Sequence, residues 1–146
     1  MSKIAVASIA MLMLLGGCAS TQFKAYEGRG NVIEGHGGTR IVVDGMDIWE
    51  NGDPPRKFKL LGLIEDERPG GIIPMGQLPG DMVKKAREVG GQALIKINSQ
   101  SQIMGYQTSG YASANTLGSS TRATGTATTI AARKNFATYA VILYLE

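Results

Sequence analysis

The stretch Asp81-Met82-Val83-Lys84-Lys85-Ala86-Arg87-Glu88-Val89-Gly90-Gly91-Gln92-Ala93-Leu94-Ile95 decides the fold class, because it carries a helical pattern and the strand that leaves it. Met82, Val83, Ala86 and Val89 fall on one stripe, and Lys84, Lys85, Arg87 and Glu88 fall on the other, as a 3.6-residue period requires. Asp81 suits the positive end of the helix, and Gly90-Gly91 supplies a left-handed stop. So short a helix is unstable alone and must pack on a sheet. Ala93 to Asn98 is the strand that follows.

Upstream, Leu78-Pro79-Gly80 leads into the helix, while Arg68-Pro69-Gly70-Gly71 and Pro74-Met75-Gly76 read as loop. Lys57 to Ile64 reads as a strand with Phe58, Leu60 and Ile64 on one face and Leu61 and Leu63 on the other. Asn51-Gly52-Asp53-Pro54-Pro55 is a turn before it, and β-branched Thr39 to Asp44, closed by Gly45, is an earlier strand. Downstream, Phe136 to Leu145 is apolar on both sides, the mark of a central or doubly covered strand. These elements predict an α+β fold, a small sheet of about four strands with one helix packed on it. Their order is strand, strand, helix, strand, long excursion, strand.

The excursion spans residues 98–130, where 21 of 33 residues are Ser, Thr, Gly or Ala and the one charge is Arg122. Structureless loops of that length are uncommon in compact domains unless functional or disordered. Two readings stand side by side: a long ribbon that extends the Ala93 strand and returns through Thr124 to Ala132, or a low-complexity loop. Tyr106 and Tyr111 are its aromatics and its candidate partner-binding residues, since Tyr is enriched at protein contacts.

The N-terminus reads Met1-Ser2-Lys3, an apolar run from Ile4 to Leu15, then Gly16-Gly17-Cys18. A basic start, a run of about a dozen apolar residues and small residues before the cut mark an export signal. The run falls short of the roughly 20 residues a membrane helix needs. Leu15-Gly16-Gly17-Cys18 also resembles the bacterial lipobox, and that resemblance implies cleavage before Cys18, a diacylglycerol on its thiol and an acyl chain on its amine. An ordinary cleaved signal with a free thiol is the alternative. Ala19, in place of an Asp that resembles an inner-membrane retention signal, favours the outer membrane, facing the periplasm. The chain therefore divides into a signal (1–17), a lipidated Cys18 with a glycine-rich tether (18–38), and one domain (39–146).

Composition narrows the chemistry. The chain has 146 residues, 43% of them apolar and 18% charged, so it can bury a core. Its net charge of +3 does not suggest a nucleic-acid partner. Cys18 is the single cysteine, which excludes an internal disulfide and any zinc site with two thiolates. The single histidine, His36, sits in Gly35-His36-Gly37-Gly38, too loosely held to suit catalysis and better suited to a solvent-facing turn. Asp44, Asp47, Glu50 and Asp53 recur at three-residue intervals without the EF-hand spacing, so they read as turn acids and no metal or cofactor is expected. No phosphate-binding glycine motif is present. Glu65-Asp66-Glu67-Arg68 reads as a solvated strand end, and Lys84, Lys85 and Arg87 as a solvated helix face.

The run from Asp44-Gly45-Met46-Asp47-Ile48-Trp49 through Pro54-Pro55-Arg56, Leu61-Gly62-Leu63-Ile64 and Asp66 to Val89-Gly90-Gly91-Gln92-Ala93-Leu94-Ile95 resembles small bacterial envelope lipoproteins over about 52 residues. Its helix-Gly-Gly-x-Ala-Leu-Ile turn is similar to the small sheet-and-helix domains of the YbjQ-like and Rcs stress-sensor lipoprotein groups. The Rcs sensors rely on cysteine pairs, which this chain lacks, so only Cys18 carries over. The expectation is a non-enzymatic lipoprotein that reaches the membrane through its anchor and binds an envelope protein, or its own copies, through the 98–130 segment. The competing expectation is a protein that binds or acts on peptidoglycan or lipopolysaccharide, through the Glu65 to Glu67 and Asp44 to Asp53 acids in the peptidoglycan case.

Overall fold

A computed structural model describes residues 19–146; the signal and Cys18 lie outside the described residues. The elements run β1 (Ser20–Ala25), β2 (Val32–Glu34), β3 (Thr39–Val43), β4 (Met46–Glu50), β5 (Lys57–Pro69), α1 (Ile72–Glu88), β6 (Ala93–Leu117) and β7 (Ser120–Tyr144). They form one seven-stranded sheet in the order β1-β5-β7-β6-β4-β3, with β2 also paired to β5 beyond the end of β1. Every pairing is antiparallel except β4 with β6, which are joined through β5 and α1 and run parallel.

The expected α+β fold of about four strands is corrected to a mainly-β fold, a large mixed sheet with one helix on it and 64% of the described residues in strands. The strands beyond the expected four are short or polar. β1 and β2 are held mainly by main-chain pairing with β5 and carry little apolar periodicity, while β4 is only five residues long although Met46, Ile48 and Trp49 are buried. Ser20–Ala25, expected within a tether, pairs residue for residue with Glu67 to Gly62 of β5. Met46–Glu50 is joined to β3 by Asp44 and Gly45, whose φ angles of 50° and 79° suit a tight hairpin turn.

Helix α1 begins at Ile72, well before the expected start near Asp81. Pro74 lies in the first turn, where a missing N–H costs little, but Pro79 is inside the helix and costs about 3 kcal/mol. Leu78, Met82 and Val83 are almost fully buried. Each contributes roughly 1.5–3 kcal/mol by leaving water, which together outweighs the proline.

The helix covers one face of the sheet, packing with Ile48, Ile64, Leu94, Tyr139 and Val141. The other face gathers Trp49, Phe58, Ile95, Ala140 and Ile142. A bulge in β5 between Leu60 and Gly62 reverses the expected faces beyond it. Ile64 lies with Leu61 under the helix, and Leu63 lies with Phe58 and Leu60 on the other side. On that second face Trp49 Nε1 donates to the Tyr144 hydroxyl at 2.9 Å, and this hydroxyl donates to Asp47 at 2.8 Å, tying β4 to β7.

Arg68 is 1% exposed and holds the helix to the sheet. It donates to both Asp66 oxygens at 2.5 and 2.8 Å and to the Pro74 carbonyl at 2.8 Å, and its Nη1 lies 3.1 Å from Asp81. The hydrogen bond with Asp66 raises the guanidinium's pKa above its ordinary value, so it stays charged. Thr21 of β1 donates to Asp66 at 2.6 Å.

Breaking this pair from one side leaves a buried charge without its partner. Asp66→Ala is expected to lower the unfolding free energy by about 3 kcal/mol or more, and Asp66→Leu with Arg68→Met to recover much of that, both read from urea midpoints. Burial also pushes the Tyr139 and Tyr144 phenols above their ordinary pKa. The folded chain then holds these protons longer than the unfolded chain, so their contribution is intact below pH about 10 and falls as pH rises further. Urea midpoints taken on either side of that pH check this, with Tyr139→Phe expected to flatten the decline.

Candidate functional site: the ribbon and the sheet end it leaves

β6 and β7 are 25 residues each, but β5 accompanies β7 only as far as Pro69, opposite Lys134. Beyond that level the two strands continue alone as a ribbon, from Gly105 opposite Ala132 to Leu117 opposite Ser120, turned by Gly118 at φ 62°. Of the two readings of residues 98–130, the chain takes the ribbon. Of two bulges in β6, at Lys96/Asn98 and Ile103/Gly105, the latter marks the ribbon's root, where a bulge adds twist to the strands.

Residues opposite each other share a face, so register sorts the ribbon's side chains. One face continues the helix-covered side of the sheet and carries alanine, glycine and threonine, with Tyr106 at the root. Its threonines satisfy one another: Thr108 lies 2.8 Å from Thr129 and Thr116 lies 3.1 Å from Thr121, hydroxyl to hydroxyl. The opposite face holds Arg122 and the carboxamides of Gln107 and Asn115, together with Tyr111, Leu117 and Ile130. The ribbon thus carries its charge and carboxamides on one side and is uncharged on the other. Its outer edges also present main-chain N–H and C=O groups that no described strand pairs.

The two tyrosines expected to bind a partner are 72% and 73% exposed. Five residues apart, Tyr106 and Tyr111 lie on opposite faces and form no common patch. Sequence reading missed Ile72 and Ile73, 93% and 74% exposed in the first turn of α1. They follow Gly70, whose amide donates to the Arg133 carbonyl at 2.8 Å, so they stand at the root of the ribbon. An adjacent pair of isoleucines after Gly70-Gly71 was the available signal, hidden when the segment is read as loop.

The acids are dispersed and engaged. Alternation puts Glu65 and Glu67 on one face and Asp66 on the other; Glu65 accepts from Lys24 at 2.6 Å, and Glu67 pairs with Lys134. Asp47 accepts from Tyr144, Glu50 lies 3.2 Å from Lys96, and Asp53 accepts the His36 amide at 2.7 Å. The His36 side chain is exposed. Among the described residues, no group of three or more His, Cys, Asp or Glu residues is placed to hold a metal ion. Among them, too, no helix is long and apolar enough to cross a membrane, which leaves strands aside. Cys18, Leu15, Gly16 and Gly17 lie outside the described residues.

No protein-family model, curated protein or solved structure matches the chain.

The ribbon packs on nothing but itself. Replacing Thr108–Thr129 by an Asn-Gly turn, which suits a two-residue hairpin, is expected to leave the domain's unfolding free energy within about 0.5 kcal/mol of the parent, measured by urea titration.

Proposed function

We propose that this chain is a lipoprotein of the outer membrane, anchored through Cys18 and facing the periplasm, that works by association rather than catalysis, with the ribbon as its binding element. The carrying observation is a two-stranded ribbon with both edges unpaired and the ribbon's one charge, Arg122, near its tip. Unpaired edges recruit further strands by main-chain hydrogen bonds, so strand addition is the mode of association the ribbon suits. The partner is an envelope protein or a further copy of the chain. The Leu15-Gly16-Gly17-Cys18 tetrapeptide supports the anchor, and two acyl chains or more hold stably where one binds only marginally. The engagement of Glu65, Asp66 and Glu67 by Lys24, Arg68 and Lys134 weighs against the alternative of acid chemistry on peptidoglycan.

A photo-crosslinking residue at Tyr106 or Tyr111 in intact cells is expected to give a discrete adduct, and the Tyr106 adduct is expected to vanish when Thr108–Thr129 is replaced by Asn-Gly. No adduct from either position would sink the ribbon reading. Mass spectrometry of the mature protein is expected to show an N-terminal Cys18 carrying a diacylglycerol and an acyl chain, both absent from Cys18→Ser; an unmodified Cys18 would sink the anchor.

A further inference from the structure

Resting on that reading, and naming the ribbon's partner within it, we infer that the ribbon enters the lipid bilayer and that several copies of the chain join ribbons edge to edge into one transmembrane β-barrel.

Direction comes first. Ser20 pairs with Glu67, Glu67 with Phe136, and Phe136 with Gln100, which places the start of β1 at the end of the sheet from which the ribbon projects. Only Ala19 separates Cys18 from β1, and two residues of chain reach about 7 Å at most. A lipid on Cys18 therefore brings that end of the sheet to the membrane surface, with the ribbon aimed at the bilayer.

Length agrees. Gly105 to Leu117 at about 3.3 Å per residue gives a ribbon of about 40 Å, or about 30 Å of depth at the usual barrel tilt, matching the hydrocarbon core. The surface at the root agrees as well. Ile72 and Ile73, almost bare to solvent, stand there with Tyr106, an aromatic of the kind that settles at membrane interfaces.

A barrel wall turns its polar groups inward, which assigns the uncharged face to lipid and the face with the charge and carboxamides to the lumen. The alanine, glycine and threonine face suits lipid, since its threonine hydroxyls are already paired with one another. Arg122, Gln107 and Asn115 would line the lumen, with Tyr111, Leu117 and Ile130 between them. A lone ribbon cannot stay in hydrocarbon, because its edge N–H and C=O groups would have no partner. The β7 edge of one copy and the β6 edge of the next run antiparallel around a ring, so a closed ring of ribbons pairs every edge. The smallest such barrels have about eight strands, which sets a minimum of about four copies.

The test reconstitutes the full exported chain into phosphatidylethanolamine–phosphatidylglycerol vesicles. Single thiols at Thr108→Cys, Ala112→Cys and Ala114→Cys report one face, and Ser109→Cys, Ser113→Cys and Asn115→Cys report the other; each carries an environment-sensitive fluorophore. Nitroxide-labelled lipid is expected to quench the first set and spare the second, and glutaraldehyde is expected to trap ladders of four or more chains in the same vesicles. Ala112→Asp is expected to abolish quenching at Thr108→Cys, while Ser113→Asp leaves it. No quenching, equal quenching on both faces, or crosslinked species no larger than a dimer would overturn the inference. The parent chain tests the anchor separately: an acylated Cys18 takes no fluorophore, whereas labelling of Cys18 refutes the anchor and leaves barrel formation to be judged on the alternation alone.

Discussion

Arg68 is a cation in the apolar layer between helix and sheet, and the placement of α1 follows from how that charge is satisfied. Its guanidinium is held by Asp66 on its own strand, by the Pro74 carbonyl in the first turn of the helix, and by Asp81 one stage further along it. Two points of attachment on the helix leave it little freedom to slide. Asp66 in turn accepts from Thr21, so the same charge pins β1 to the sheet edge. An unpaired charge at this site would be very costly to bury, and the paired one therefore specifies a single arrangement of strand, helix and N-terminal strand.

That arrangement sets one end of the sheet apart. β1 begins there, β5 stops there, α1 starts there with its two bare isoleucines, and β6 and β7 leave there as a ribbon. The opposite end holds the Asp44-Gly45 and Gly90-Gly91 turns. β1 enters the sheet at the end from which the longest projection leaves, so the proposed anchor at Cys18 would give the chain a defined orientation to the membrane. A ribbon of small side chains then suits that surface for a simple reason: it has little bulk to bury and its hydroxyls are already paired in part.

Much of the domain was legible in local pattern. The Met82, Val83, Ala86 stripe identified the helix, Phe136 to Leu145 a central strand, and Asn51 to Pro55 a turn, because each carries its own periodicity or turn chemistry. The number of strands was not legible. β4 lay behind an Asp44-Gly45 hairpin signal whose following residues were read as turn acids, and β1 looked like tether because Ser20 to Ala25 has almost no apolar alternation. The single-residue bulge in β5 turned Ile64 to the face opposite the one a two-residue period assigns, and no composition announces a bulge in advance.

By itself the sequence determined the chemistry available to this protein: one cysteine in a lipobox-like tetrapeptide, one histidine among glycines, and a long segment of small uncharged residues. Those are properties of residue types and local spacing, and they persist whatever the chain folds into. Only the tertiary structure decided that the small-residue segment is a ribbon with a charge-bearing and an uncharged face, that Tyr106 and Tyr111 point to opposite sides, and that the ribbon leaves the sheet where β1 enters it. Strand pairing is non-local: Ser20 meets Glu67, and Gly105 meets Ala132, through hydrogen bonds that the neighbouring residues in sequence do not encode.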